Sequence, residues 1–228
     1  MPQHYYFAYG MNTNDDVMRH RCPDARLIGV GDLPQHRLCF RYHADVVIDC
    51  NTSTYGVVWC VSDRDLEQLD WAEGYPNYYE RKTALIAIDT LLTEAWVYVM
   101  KDRHPLELPD DGYYALCRQG YQQHGVDLTQ METAMYFIKN KPKTVREAVR
   151  MWGEKHGKAD VRFYIDQHFW SYSLNLSKQH NDINEIESWC DTVLGQDNWH
   201  RVFEKFWFTS EQDFVMFKLT WNRNDHND

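Results

Sequence analysis

The chain has 228 residues, enough for one large domain or two small ones, and its 43% hydrophobic and 15% aromatic content can bury a core. A formal net charge of −10, with acidic residues spread along the whole length, argues against a basic nucleic-acid-binding face. No apolar run approaches the ~20 residues of a membrane span and the first residues lack a signal-peptide pattern, so the expectation is a cytoplasmic protein that engages neither nucleic acid nor membrane.

The first element is "HYYFAYGMNTN" at 4–14. Its aromatic run has the bias of a buried strand. Gly10 permits a turn that a side chain would obstruct, and Asn12, Thr13 and Asn14 can cap a helix over 14–21 that Cys22-Pro23 closes. An ordinary strand–turn–helix corner has this pattern, and so does a loop whose N–H groups receive an anion. Strands are predicted at 25–33, 36–43 and 54–61. Ser62 then offers an N-cap, with Asp63 and Asp65 favourable in the first helical turn. Leu66, Leu69 and Ala72 share one face of that helix, Gly74 ends it, and Pro76 prevents its restart.

Two β-patterned segments follow at 78–88 and 94–100, then a proline-bearing loop and a helical stretch at 113–125. Many short strands around few helices predict a small mixed barrel rather than a doubly wound sheet. Neither Gly-x-Gly-x-x-Gly nor a phosphate-loop motif occurs. The organisation changes at "KNKPKT". The predicted division is therefore a barrel domain at 1–138, a solvated linker at 139–143 and an α+β domain at 144–228. The second domain reads as a helix at 144–156, a strand at 160–166, a helix at 183–195, a strand at 201–209 and a helix opened by Ser210-x-x-Asp213. The polar tail 222–228 is expected to fray.

Six cysteines, at 22, 39, 50, 60, 117 and 190, stand without a Cys-x-x-Cys pair, which fits reduced thiols better than disulfides or a zinc site. Eleven histidines are scattered with no His-Glu-x-x-His, so neither a metal nor another cofactor is expected.

Chemistry concentrates at one helix end. Asp63, Asp65, Glu67, Asp70 and Glu73 crowd one segment, and most such acids belong to solvated helix faces. Glu73 differs because it directly precedes Gly74 and the aromatic run Tyr75-Pro76-Asn77-Tyr78-Tyr79. The negative pole of the helix and aromatic surroundings should both raise its pKa, which suits a general base.

Taken together, "YFAYGMN", "YGVVWCVSDRDLEQLDWAEGYPNYYERK" and "EAWVYVM" resemble, in order and spacing, the gamma-glutamylcyclotransferase superfamily of AIG2-like and BtrG-like folds, over about residues 4–130. The family carries a Tyr-Gly-Ser-Asn loop near its N-terminus and a Leu-Asp-x-x-Glu-Gly motif some sixty residues on. The resemblance implies a mixed β-barrel with a cavity at its mouth, bounded by Tyr9-Gly10-Met11-Asn12 and Glu73, and an enzyme that cyclises a gamma-glutamyl amide to 5-oxoproline with release of an amine. Glu73 matches the catalytic glutamate. The backbone of Tyr6, Phe7, Ala8, Tyr9, Gly10, Met11 and Asn12 matches the substrate-holding stretch, and Tyr98 and Tyr113 stand where tyrosines can line the cavity. Met11 replaces the usual serine, which removes a hydroxyl and makes the pocket more apolar.

Residues 203–221, "FEKFWFTSEQDFVMFKLTW", look like a short module of some bacteriophage proteins. The aromatic residues of this region, Trp189, Trp199, Phe206, Trp207 and Phe208, fit a small core better than a ligand cage. Two alternatives stay open beside the enzyme. One is a binding module that captures a small amide or modified nucleotide without turnover. The other is a protein-interaction role centred on the C-terminal domain.

Overall fold

In the computed structural model, residues 3–101, 104–156, 165, 168–169, 172–176 and 182–221 are described. The aromatic run forms β1 (Gln3–Ala8), which pairs antiparallel with β3 (His43–Ser62) from Gln3↔Ser62 to Ala8↔Val57. β1 also pairs parallel with β5 (Leu91–Met100) at Tyr6↔Trp96. β2 (Arg26–Arg41) pairs antiparallel with β3 and, at Asp32↔Ala87, with β4 (Tyr79–Ile88); β4 pairs antiparallel with β5. The order β1-β3-β2-β4-β5 closes into a barrel, and its one parallel seam makes it mixed, as the strand pattern predicts.

The second and third strands differ from expectation. The predicted breaks at 34–35 and across 44–53 do not interrupt the ribbon, which runs as two long strands from 26 to 62 with a turn at Tyr42. Pro34 and Gln35 form a bulge instead, with Gln35 at φ 58 and a register shift between Pro34 and His36. Turn-forming residues mark bulges as readily as chain reversals, and only strand pairing separates the two.

Among the helices, α1 (Asp15–Arg21) is capped by Asn14, whose Oδ1 accepts from the N–H groups of Asp16 and Val17. α2 (Asp63–Ala72) opens with a capping box between Ser62 and Asp65, and buries Leu66 and Leu69. Asp65 is therefore fully buried, against the solvated reading of that acidic run. α3 (Asp111–His124) starts two residues before the predicted helix, capped by Asp110. α4 (Thr129–Lys139) has no counterpart in the sequence reading, although its buried Met131, Ala134 and Phe137 recur every third residue. Its last residue is Lys139, the first of the predicted linker.

The chain divides into two compact units, Met1–Lys139 and Asn140–Asp228. The second holds α5 (Val145–His156), β6 (Ser173–Asn175), α6 (Ile183–Val193), β7 (Trp199–Val202), β8 (Lys205–Phe208) and α7 (Glu211–Trp221). Its antiparallel sheet has the order β6-β8-β7. The single strand predicted at 201–209 is thus a hairpin, reversed at Phe203-Glu204 with Phe203 at φ 55. A Phe-Glu turn carries no Gly, Asn or Pro signal, so the sequence reads through it. Of the predicted strand 160–166, all but Ile165 lies outside the described residues, and Ile165 is helical and buried. The tail 222–228 also lies outside them. Among the described residues no helix is long and apolar enough to cross a membrane.

Candidate active site

β1 ends at Ala8, and the chain turns at Gly10 into one 3₁₀ turn, Met11–Thr13, before Asn14 starts α1. The glycine is required by contact rather than by φ. A Cβ there would lie 2.9 Å from the Tyr113 hydroxyl and 3.1 Å from the Ala44 Cβ. A second close approach holds the far side of the loop. Gly120 of α3 packs so tightly that a Cβ would sit 2.3 Å from Thr13 Oγ1 and 2.5 Å from the Asn14 nitrogen.

The turn directs Asn12 inward, and the expected capping falls to Asn14 alone. Asn12 is the hub of a bonded set. Its Nδ2 donates to Glu73 Oε1 at 2.7 Å and to the Tyr6 hydroxyl at 2.8 Å. Its Oδ1 accepts from Arg21 Nη1 at 2.6 Å, and its carbonyl accepts from the Trp59 indole at 3.0 Å. Every polar atom of this side chain is used, so its orientation follows from its partners.

Glu73 caps the C-terminus of α2, with Gly74 next in the left-handed region at φ 64. The same helix end is clamped to the barrel wall one turn earlier. Asp70 accepts from the Tyr98 hydroxyl at 2.7 Å and from Arg81 Nη1 at 2.6 Å, while Arg81 lies over the Trp96 and Tyr75 rings. Asp70 is therefore bonded to the barrel wall one turn before Glu73, and is not one more solvated acid. The Glu73 side chain is 17% exposed, and burial pushes its carboxyl above the ordinary carboxylate range. The Arg21 charge, at 3.9 Å, and the Asn12 bond pull it back down. Desolvation is thus the main cause of the shift, in line with the aromatic surroundings expected from the sequence rather than with the helix pole.

These groups face a cavity of about 300 Å³ at the barrel mouth. Glu73, Asn12, Arg21 and Tyr6 line it together with the Tyr9-Gly10-Met11 loop. Tyr98 and Tyr113 line it as well, joined by Tyr78, Tyr79 and His43, which the sequence did not single out. Phe7 and Ala8 do not reach it; both are core residues, and Tyr6, Phe7 and Ala8 are all paired with β3. The donors available to a ligand thus narrow from the whole 6–12 stretch to the turn itself, where the N–H groups of Met11 and Asn12 find no acceptor among the described residues.

The tyrosines serve as walls and donors. Tyr9 donates to the Tyr98 carbonyl at 2.5 Å and Tyr79 to the Ala44 carbonyl at 2.6 Å; Tyr113 accepts from the Ala44 N–H at 3.1 Å. Burial raises the pKa of Tyr6, Tyr9, Tyr79, Tyr98 and Tyr113, so all stay protonated at neutral pH. Burial likewise pushes the thiols of Cys22 and Cys117 up to about 12, which makes them poor nucleophiles. His43 is pushed down by burial, leaving Arg21 as the permanent cation on the lining among the described residues. Among the described residues no cluster of His, Cys, Asp or Glu could hold a metal ion.

A five-stranded mixed barrel with a glutamate at the mouth, facing an N-terminal Tyr-Gly-x-Asn turn, is a specific arrangement. Residues 6–116 match the sequence model of the family described as gamma-glutamyl cyclotransferase, AIG2-like. The barrel has the gamma-glutamylcyclotransferase fold. A solved structure named gamma-glutamyl cyclotransferase shares this fold at 22% identity, over 59% of this chain and 87% of its own, with a TM-score of 0.54. The uncharacterized human protein loc79017 does so at 23% identity, over 59% of this chain and 88% of its own, with a TM-score of 0.54. YkqA from Bacillus subtilis matches at 17% identity, over 62% of this chain and 56% of its own, with a TM-score of 0.53. No curated protein matches the chain. Within the gamma-glutamylcyclotransferase barrel, Arg21 has no local sequence signal, because it meets Glu73 only across the fold; Asp70 stands at the Asp of the Leu-Asp-x-x-Glu-Gly motif, but its partners Arg81 and Tyr98 come from separate strands.

Proposed function

We propose that the protein is a gamma-glutamylcyclotransferase-type enzyme that converts a gamma-glutamyl amide into 5-oxoproline and a free amine. The observation that carries this reading is Glu73, a shielded carboxylate held at 2.7 Å by Asn12 of the N-terminal turn inside a cavity of substrate size. Glu73 takes a proton from the substrate's α-ammonium, whose ordinary pKa is near 8. The freed amine attacks the γ-carbonyl carbon, closing the five-membered ring. As the tetrahedral centre collapses, the bond to the leaving nitrogen breaks, Glu73 delivers its proton there, and the regenerated carboxylate takes the second proton of the ring nitrogen, leaving the single N–H of 5-oxoproline. The raised pKa of Glu73 suits a group that must accept and then release a proton. Attack is intramolecular, so packing the glutamyl chain among the tyrosines supplies much of the rate. The N–H groups of Met11 and Asn12 are the proposed donors to the developing oxyanion.

The test is 5-oxoproline release by the full chain from a panel of gamma-glutamyl amino acids, gamma-glutamyl-amines and gamma-glutamyl-lysine. Release from any member that Glu73→Gln abolishes supports the reading. Binding without release makes the cavity a capture site.

A further inference from the structure

Arg21 sits at the end of α1, lines the cavity and keeps a quarter of its side chain exposed. Only Nη1 is engaged, donating to Asn12 Oδ1 at 2.6 Å and standing 3.9 Å from Glu73 Oε1. Among the described residues, Nε and Nη2 find no acceptor. A guanidinium that serves only to steady a neighbouring carboxylate is usually seated on it by two parallel bonds. Here the contact to Glu73 is a single long one, and the remaining donors are unspent beside the cavity.

We propose that Arg21 is the receptor for the substrate's α-carboxylate and so makes a free carboxylate at that carbon a requirement. This rests on the cyclotransferase reading and deepens it. In a gamma-glutamyl head the α-ammonium and α-carboxylate share one carbon, so their partners must be adjacent. Among the described residues, Glu73 and Arg21 are the adjacent anion and cation of this cavity. An amino-acid head spanning them places the nitrogen against the base and the carboxylate against the open guanidinium edge. The same contact holds the product, because 5-oxoproline keeps its carboxylate beside the ring nitrogen. Arg21 therefore reads the head group common to all candidate substrates, while the aromatic wall formed by His43, Tyr78 and Tyr113 is left to read the amine.

The test is calorimetric titration of the full chain with 5-oxoproline and with its α-carboxamide, which differ only in the group assigned to Arg21. Wild-type protein should prefer the carboxylate by on the order of 10- to 100-fold, the worth of a charged hydrogen-bonded contact. Arg21→Met should remove that preference while still binding the carboxamide. Arg21→Gln, which keeps a donor for Asn12, should behave likewise and serves if the Met variant fails to fold. A purely structural role would weaken both ligands together and leave their ratio unchanged, which overturns the assignment. Equal binding of both ligands by wild-type protein also overturns it, but leaves the cyclotransferase reading standing. Binding of neither, with no turnover on the panel, brings down both.

Discussion

Among the described residues the two units bury different kinds of side chain. Asn12, Thr13, Asn14, Arg41, Asp45, Asp49, Thr54 and Asp65 are buried polar groups, and all belong to the barrel unit. The C-terminal unit instead packs Leu176, Ile186, Leu194, Trp199, Phe206, Phe208 and Phe217 around Cys190, with the Phe217 ring 4.9 and 4.7 Å from those of Phe206 and Phe208. Burying a polar group is costly unless every bond is made, and an apolar core of the same volume folds at least as well. Several of the barrel's buried polar groups sit where they hold a neighbour in place. Asn12 orients Glu73, Thr13 closes the turn onto the Gly10 carbonyl at 2.8 Å, and Asp45 receives the Met100 N–H at 3.0 Å. The difference teaches that the barrel keeps polar groups whose bonds fix the wall of a cavity, whereas the aromatic cluster of the C-terminal unit is accounted for by packing.

The sharpest test removes the proton acceptor and keeps its shape. Glu73→Gln should lower turnover by at least about 10²-fold with an unchanged circular dichroism spectrum, since general-base catalysis is worth that much. A variant retaining a tenth of the rate would return Glu73 to the set of structural polar groups. The converse test strikes the apolar core. Phe217→Ala should cost about 3–5 kcal/mol in the stability of the C-terminal unit, read by urea denaturation. We propose that the two units fold independently, so kcat on any substrate found should not move; a matched fall in kcat would erase the contrast.

Met11→Pro addresses the turn. Met11 is the first residue of its 3₁₀ segment, a position that accepts the ring of proline, so the main loss is one N–H donor. Turnover should fall by roughly 10²-fold if that donor meets the oxyanion, and Met11→Ser, which keeps it, should retain turnover. Gly120→Ala forces a methyl onto Thr13 and Asn14, and should cost about 1–3 kcal/mol while lowering kcat, because the turn that aims Asn12 must shift. The smallest effect is a pH slope. Burial raises the Glu73 carboxyl above its unfolded value, so its favourable contribution is present while it is protonated and is lost as pH rises through the folded pKa. Denaturation across that window should show wild-type stability falling relative to Glu73→Gln.

Much of the barrel was legible because its signals are local. The aromatic run, the Gly10 break, the Ser62 cap and the Glu73-Gly74 stop are each read within a few residues, and they place the general-base candidate. The capping of α1 from within Asn12-Thr13-Asn14 was legible for the same reason, and in the structure it falls to Asn14. The hairpin at 199–208 was not, because its turn uses Phe203 and Glu204 where glycine or asparagine is usual. The ribbon over 26–62 was split for the opposite reason, since Pro34 has the chemistry of a turn but occupies a bulge.

Residue types, spacing and caps by themselves determined that a strand stops before Gly10, that α2 stops at the Glu73-Gly74 step, and that both belong to a small mixed barrel. Only the tertiary structure decided which of the acids would be buried, which tyrosines face the cavity, and that Arg21 meets Asn12. The reason is physical. A cap or a turn is set by backbone groups within one or two turns of chain, whereas desolvation and charge pairing depend on what barrel closure brings alongside. Arg21 and Glu73 lie far apart in the chain, and nothing local to either specifies the other; closure of β1 onto β3 and β5 puts them 3.9 Å apart.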